Sequence, residues 1–305
     1  MNAPTSDQSG PPQDPRTSWD LPAVGDLPAV ASLDELAVRV LAPNPSPMTL
    51  DGTNTYVIGP SGSGEAIIVD PGPPDGAHLE RVRTTLRDRD AQPVTIMVTH
   101  HHLDHAEAAA AWSRTFGCHV AAATRDVAGS SGSIIADGSR LRVGGIDVEV
   151  IATPGHTRDH LSLRLPTGAV LTGDHVLGRG TSVVAHPDGD LAAYLSSLRR
   201  LLELGPDALF PGHGPELTED PTAVLLYYQQ HRAFREAQIT AILAEGPATP
   251  AALVARIYAE VDPRVWGAAE ASTRATLAVL VDRGELRWDE DGRAVLITQG
   301  AGSPP

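Results

Sequence analysis

The stretch Thr99-His100-His101-His102-Leu103-Asp104-His105 directly follows an apolar run at residues 94–98. An extended chain sends alternate side chains to the same side. His100 and His102 therefore converge if the strand geometry continues that far, and His101 points away. The alanine-rich residues 105–115 then read as a helix, which puts Asp104 and His105 at its first turn, within reach of a neighbouring point. Such a dense set of nitrogen and carboxylate donors suits a borderline cation such as zinc. Taken alone, the run would also fit a surface chelating tract.

Three further segments argue against that bland reading. Ile151-Ala152-Thr153-Pro154-Gly155-His156 ends an apolar run in a tight turn and presents His156. Leu171-Thr172-Gly173-Asp174 presents Asp174, and Leu209-Phe210-Pro211-Gly212-His213-Gly214 presents His213. A glycine precedes each donor, which frees the backbone and allows close approach to a cation. Loops at the ends of strands are where a rigid sheet builds a site.

Outward from these segments, short apolar runs near residues 38–41, 56–58, 66–69, 94–98, 148–151, 169–172 and 208–210 read as strands. Residues 79–89, 105–115 and 191–204 read as helices. This order predicts a layered α/β domain, its sheets sandwiched by helices. From about residue 228 the pattern turns helical, near 233–244, again from Thr249-Pro250 with its N-cap and N1 proline, and over 268–282. A hairpin signal follows at 286–297. Three helices and a hairpin describe a winged-helix unit. The expected organisation is a disordered leader over residues 1–28, a hydrolase domain over 29–227, a winged-helix-like domain over 228–298 and a loose tail over 299–305.

The 305 residues carry a net charge of −15, and all 23 basic residues are arginine. Without lysine there is no Schiff base and no P-loop lysine. The acidity argues against tight, non-specific nucleic-acid binding, though two divalent cations would create a strong local positive field. The single cysteine, Cys118, excludes an intrachain disulfide and a multi-cysteine zinc site; it reads as a small buried residue. The N-terminus lacks the pattern of a secretory signal and no apolar run reaches the length of a membrane span. A cytoplasmic enzyme without membrane attachment is the default expectation.

The four donor segments, with Asp70 in Val69-Asp70-Pro71-Gly72, resemble the five motifs of the metallo-β-lactamase superfamily. More narrowly, the chain resembles the β-lactamase-like protein 2 group. That match rests on Met48-Thr49-Leu50-Asp51-Gly52-Thr53-Asn54-Thr55-Tyr56, Thr153-Pro154-Gly155-His156-Thr157-Arg158-Asp159-His160, Gly173-Asp174-His175-Val176-Leu177-Gly178 and Pro211-Gly212-His213-Gly214-Pro215. The resemblance implies a four-layer αββα sandwich followed by a small winged-helix domain. It also implies two divalent cations, zinc first, with manganese and iron as the other ions such donors accept. His100, His102 and His156 would hold one cation and Asp104, His105 and His213 the other, with Asp174 between them. A hydroxide shared by the two cations would be the nucleophile, and Asp104 would also orient it.

The neighbouring residues leave alternatives open. His160 reads either as a catalytic group, contacting substrate or donating a proton, or as a structural hydrogen-bonding residue. Asp70 reads as a partner orienting ligand histidines, and Thr157 either as such a partner or as a cap of the following turn. His175 should point elsewhere.

Two-cation sites cleave phosphodiesters, thioesters, lactones and lactams alike, so the donors fix reaction class and not substrate. The group resemblance puts single-stranded RNA or another phosphodiester first. A small-molecule ester or thioester, as in a glyoxalase II-type acyl hydrolase, comes second. Residues 232–293 hold eight arginines against ten acidic residues, which is not the basic face of a sequence-reading winged helix. That unit therefore reads as shaping substrate access or joining two copies in a homodimer. A nucleic-acid-binding regulator with an inert hydrolase domain is the minor alternative; an inert relative would be expected to lack donors, and none is missing.

Overall fold

The structure, a computed structural model, describes residues 10–297. Its first sheet has seven strands in sequential order: β1 (Val30–Ser32), β2 (Ala37–Leu41), β3 (Asn54–Ile58), β4 (Gly64–Val69), β5 (Ala91–Met97), β6 (His119–Ala122) and β7 (Ser133–Ile134). The first four pair antiparallel, and β4 to β7 pair parallel. Parallel pairing requires crossovers. Helix α1 (Gly76–Asp88) makes the first, and α2 (Leu103–Ala106) with α3 (Ala109–Phe116) makes the second. The short α4 (Arg125–Ala128) leads into β7.

The second sheet comprises β8 (Arg140–Val143), β9 (Ile146–Ala152), β10 (Leu161–Arg164), β11 (Ala169–Gly173) and β12 (Ala208–Pro211). Helix α5 (Leu191–Leu204) crosses over between β11 and β12, which pair parallel. Asp190 caps α5 by accepting from the Ala193 amide, and Gly205 in the left-handed region ends it.

Alternation along the strands builds the layers. In β4, Ile67 and Val69 face the second sheet while Ala66 and Ile68 face α1 and α3. Tyr56, Met97, Val150, Leu163, Leu171 and Phe210 fill the space between the sheets. Val82, Leu86 and Trp112 cover the outer face of the first sheet. Tyr194, Leu198 and Leu201 of α5 cover Val170 and Leu209 of the second. This is the expected αββα sandwich, with site loops gathered along one edge.

Helix α6 (Pro221–Glu245) begins at the Asp220 cap with proline at N1. Its first half, through Val224, Leu225 and Tyr228, packs on the sandwich. Its second half, through Ile239 and Leu243, packs on α7 (Pro250–Ile257), α8 (Trp266–Asp282) and the hairpin of β13 (Leu286–Trp288) and β14 (Ala294–Leu296). The boundary expected at residues 227/228 thus falls inside one continuous helix. No glycine or proline interrupts the chain between Thr222 and Glu245, so nothing breaks the helix where the tertiary contacts change.

The leader expected to be disordered is placed from residue 10 onward. Arg16 is 5% exposed and donates to the carbonyls of Leu177 and Gly180 at 2.7 and 2.6 Å. Its guanidinium also lies over Tyr227 and Tyr228. A polar composition hides such an anchor because one buried arginine leaves no periodic signal. The remaining leader residues 1–9, and the loose tail expected over 299–305, lie outside the described residues. Cys118 is half-buried just before β6 rather than in the core. No helix among the described residues is long and apolar enough to cross a membrane.

Candidate metal centre

Two triads of donor atoms form at the edge of the sandwich. His100 Nε2 and His156 Nε2 each lie 3.1 Å from His102 Nδ1. Beside them, His105 Nε2 lies 3.3 Å from His213 Nε2, and Asp104 Oδ2 lies 3.2 Å from His213 Nε2. Asp174 reaches both groups. Its Oδ2 is 3.7 Å from His156 Nε2 and 3.3 Å from His213 Nε2, and its Oδ1 is 3.4 Å from His105 Nε2. The structure therefore brings together all seven residues singled out in the sequence. Within each triad the donor atoms lie within 4.8 Å of one another.

Four of the five donor histidines are aimed by a hydrogen bond at the other nitrogen. His105 donates Nδ1–H to Asp70 Oδ2 at 2.9 Å, His156 to the Val183 carbonyl at 2.7 Å and His213 to the Gly52 carbonyl at 3.1 Å. The Thr99 hydroxyl donates to Asp70 Oδ2 at 2.7 Å, which leaves its oxygen to accept from His100 Nδ1 at 3.0 Å. These bonds aim the Nε2 atoms of all four at the centre, where each offers a lone pair in its neutral form. Asp70 is buried and held at φ 51°, a cost tolerated where the structure over-determines the conformation.

The glycines before the donors admit the close approach. A Cβ on Gly212 would lie 2.4 Å from Asp174 Oδ1 and 2.9 Å from His105 Cε1. One on Gly155, at φ +142°, would lie 2.3 Å from Tyr194 Cα.

Charge in the cluster is polarised. Burial pushes His213 down, but Asp174 and Asp104 outweigh it and raise its pKa to about 9. His105 is raised in the same way, burial being overcome by Asp174 and Asp70. Burial, reinforced by His105 and His156, lowers His100, and burial with His156 lowers His102 to about 4. Asp174 stays ionised because His213 and His105 outweigh its own burial. Its buried Oδ1 has no hydrogen-bond partner among the described residues. A deeply ionised carboxylate with an orphaned oxygen, ringed by aimed imidazole nitrogens, is a donor set that divalent cations fit.

The surrounding residues sort by contact. His101 turns away, with Nδ1 2.9 Å from Asp159 Oδ1. Thr157 donates to Asp159 Oδ1 at 2.7 Å and so caps the turn rather than touching a donor histidine. Asp70 contacts His105 directly and reaches His100 through the Thr99 hydroxyl. His160, read in the sequence either as a catalytic group or as a structural one, lies behind the donor residues. It is buried, its Nδ1 pairs with Thr153 Oγ1 at 2.9 Å, and its Nε2 accepts from the Asp174 amide at 3.1 Å. Both of its ring nitrogens are thus engaged within the protein. His175 packs against Tyr194. Sequence reasoning missed Ser182, which donates to the Asp174 carbonyl at 2.6 Å, and Arg232, which donates to the Ser182 carbonyl. Neither stands in a motif, and the α6 contact spans 50 residues.

Fold and site together define a metal-dependent hydrolase. Residues 48–213 match the metallo-beta-lactamase superfamily, and residues 249–293 match the beta-lactamase associated winged helix domain. A beta-lactamase-like protein 2 homolog of Drosophila melanogaster is 34% identical over 278 residues, covering 86% of this chain and 93% of the relative. An atrochrysone carboxyl ACP thioesterase of Aspergillus chevalieri is 34% identical over 220 residues, covering 72% and 69%. A beta-lactamase domain protein from Burkholderia ambifaria shares the fold at a TM-score of 0.76 and 22% identity, covering 92% of this chain and 96% of that one. The chain belongs to the metallo-beta-lactamase superfamily, in the group of beta-lactamase-like protein 2.

Proposed function

We propose that the protein hydrolyses acyl thioesters at a centre of two divalent cations. His100, His102 and His156 would hold one, Asp104, His105 and His213 the other, and Asp174 would contact both. When bound, such a pair of cations would activate water and polarise the substrate's carbonyl oxygen, making the acyl carbon more electrophilic. In the overall reaction, water's oxygen joins the acyl carbon, the C–S bond breaks, and an acid and a thiol are released.

The observation that carries the thioester reading is the pocket at the centre's mouth. It has a volume of about 420 Å³, with His156 and Asp174 in one wall. Met48, Leu50, Leu177 and Val183 of the hydrolase and Val261 and Val265 beside α8 supply apolar lining. A concave, mostly apolar site with a few placed polar groups suits a small acyl group. The winged-helix unit closes this pocket, which supports the reading of that unit as shaping substrate access. Relatives named as ACP thioesterases support the same class.

The chain's own residues hold the centre rigid. Arg232 and Ser182 fix the loop after Asp174, whose Val183 carbonyl aims His156. His160 holds the Asp174 backbone from below. Cleavage of single-stranded RNA is the second reading; arginines in the same pocket favour it, and the acidic balance of the C-terminal unit opposes it. Zinc-loaded protein assayed side by side on butyryl-CoA and a single-stranded oligoribonucleotide separates the two. Thioester turnover with intact RNA is expected; RNA cleavage without thioester turnover would reverse the order.

A further inference from the structure

The pocket that starts at His156 and Asp174 also reaches a cluster of arginines. Arg179 comes from the loop after β11, and Arg232 and Arg235 come from α6. Asp174 is the one carboxylate among the lining residues, and divalent cations would neutralise it. In a chain of net charge −15, this is a concentrated patch of positive charge.

Several arginines outside the pocket pair with acids, as Arg16 does with Asp14, Arg200 with Asp137 and Arg283 with Glu236, and Arg39 and Arg81 also leave buried donors without an acceptor but do not line this pocket. The pocket arginines are placed differently. Arg232 is 8% exposed; its Nη2 is spent on the Ser182 carbonyl, its guanidinium lies over Tyr194, and its buried Nε has no acceptor among the described residues. Arg179 leaves two buried donors, Nε and Nη2, without an acceptor. Arg235 lies over Tyr258 at 4.5 Å, with Nη1 on Gln238. Buried guanidinium donors without acceptors are costly, and the planar fork matches a carboxylate or phosphate face.

We infer that Arg179, Arg232 and Arg235 form an oxyanion subsite that selects acyl thioesters bearing a carboxylate or phosphate away from the scissile carbonyl. The inference rests on the thioester reading. The apolar wall supplied by Val183, Val261 and Val265 would hold the uncharged part of the substrate between the cation centre and the arginines. The oxyanion can come from the acyl group or from the carrier of the thiol, and the two sources are separable.

The test is steady-state kinetics of the zinc-loaded full chain on matched substrates. Glutaryl against butyryl N-acetylcysteamine thioester varies charge on the acyl side. Butyryl-CoA against butyryl-pantetheine varies it on the thiol side. At least one charged substrate should exceed its neutral partner in kcat/KM by about tenfold or more, as expected for a guanidinium–oxyanion contact. The arm that shows it names the source. In Arg179→Gln and in Arg235→Gln, both substitutions of half-buried residues, that ratio should fall to about one. Ratios of one in both wild-type arms, or a ratio that survives both substitutions, would overturn the subsite.

If no thioester is turned over, the thioester reading fails, and direct binding then decides the subsite. Calorimetric titration with glutarate and with inorganic phosphate would compare wild type with Arg179→Gln, so that any contribution from the cations is common to both. Binding weakened about tenfold in the variant supports the subsite; equal binding overturns it.

Discussion

His105 and Asp70 are joined by a hydrogen bond of 2.9 Å, between two side chains that are both buried. The bond determines which nitrogen of His105 faces Asp174 and His213. Asp70 also accepts from the Thr99 amide and hydroxyl at 2.8 and 2.7 Å, so one carboxylate aligns the start of the histidine run with the helix that follows it. Asp70→Asn removes a full acceptor charge while tolerating the left-handed backbone. Zinc affinity, measured by competition with a chromophoric chelator, should fall about 10–100-fold. An unchanged affinity would leave Asp70 without a role in aiming His105.

Stability of the metal-free protein should pass through a maximum near pH 6.5. Unfolded histidines titrate at about 6.5. Burial holds folded His78 and His102 at about 4 and His175 at about 3. Between those values and 6.5 the unfolded chain binds more protons, so stability rises with pH. His213 works in the opposite sense. Burial is outweighed by Asp174 and Asp104, its folded value is about 9, and the stability it contributes is present below 6.5 and lost as pH rises through 9. The decline should be on the order of 3 kcal/mol. Denaturant midpoints of chelator-treated protein from pH 5 to 9.5 check this; a flat profile above 6.5 would contradict it. With zinc bound the alkaline decline should vanish, because ligand histidines are then neutral.

The Arg16 side chain reaches 161 residues along the sequence to the Leu177 carbonyl and also binds the Gly180 carbonyl. Arg16→Ala strips charge-assisted bonds from a buried loop and should cost about 2–4 kcal/mol in urea denaturation. A loss under about 0.5 kcal/mol would mean the segment at residues 10–18 does not anchor that loop.

His160→Gln should lower zinc retention about tenfold and reduce kcat while leaving the shape of the pH–rate profile intact. That outcome fits a residue that supports the Asp174 amide. A variant with full zinc content that lost the basic limb of the profile would instead have lost a proton donor.

Much of this was legible in the sequence, for reasons that differ by residue. The metal donors sit at strand ends behind apolar runs, so local periodicity and glycine placement pointed to them. Strands β4, β5, β9, β11 and β12 were legible in the same way, since their apolar runs exceed turn length. The short β7 and the two-faced β10 were not, because two to four residues carry too little pattern. The split of the expected helix at 105–115 into α2 and α3 was also hidden, because Glu107 and Ala108 are ordinary helix residues. Arg16, Ser182 and Arg232 act through contacts that only the tertiary fold creates. His160 reads either way in the sequence, because its contact with the Asp174 amide is one that only the fold creates.

Metal content of the purified full chain, reconstituted with excess zinc, desalted and measured by inductively coupled plasma mass spectrometry, reports most directly on whether the seven donors act as one binuclear centre. About two ions per chain are expected for the wild type, with a fall to about one or fewer in Asp174→Ala, whose carboxylate lies within 3.7 Å of nitrogens from both triads. A wild type that retains no stoichiometric metal, or an Asp174→Ala protein that keeps both ions, would contradict it.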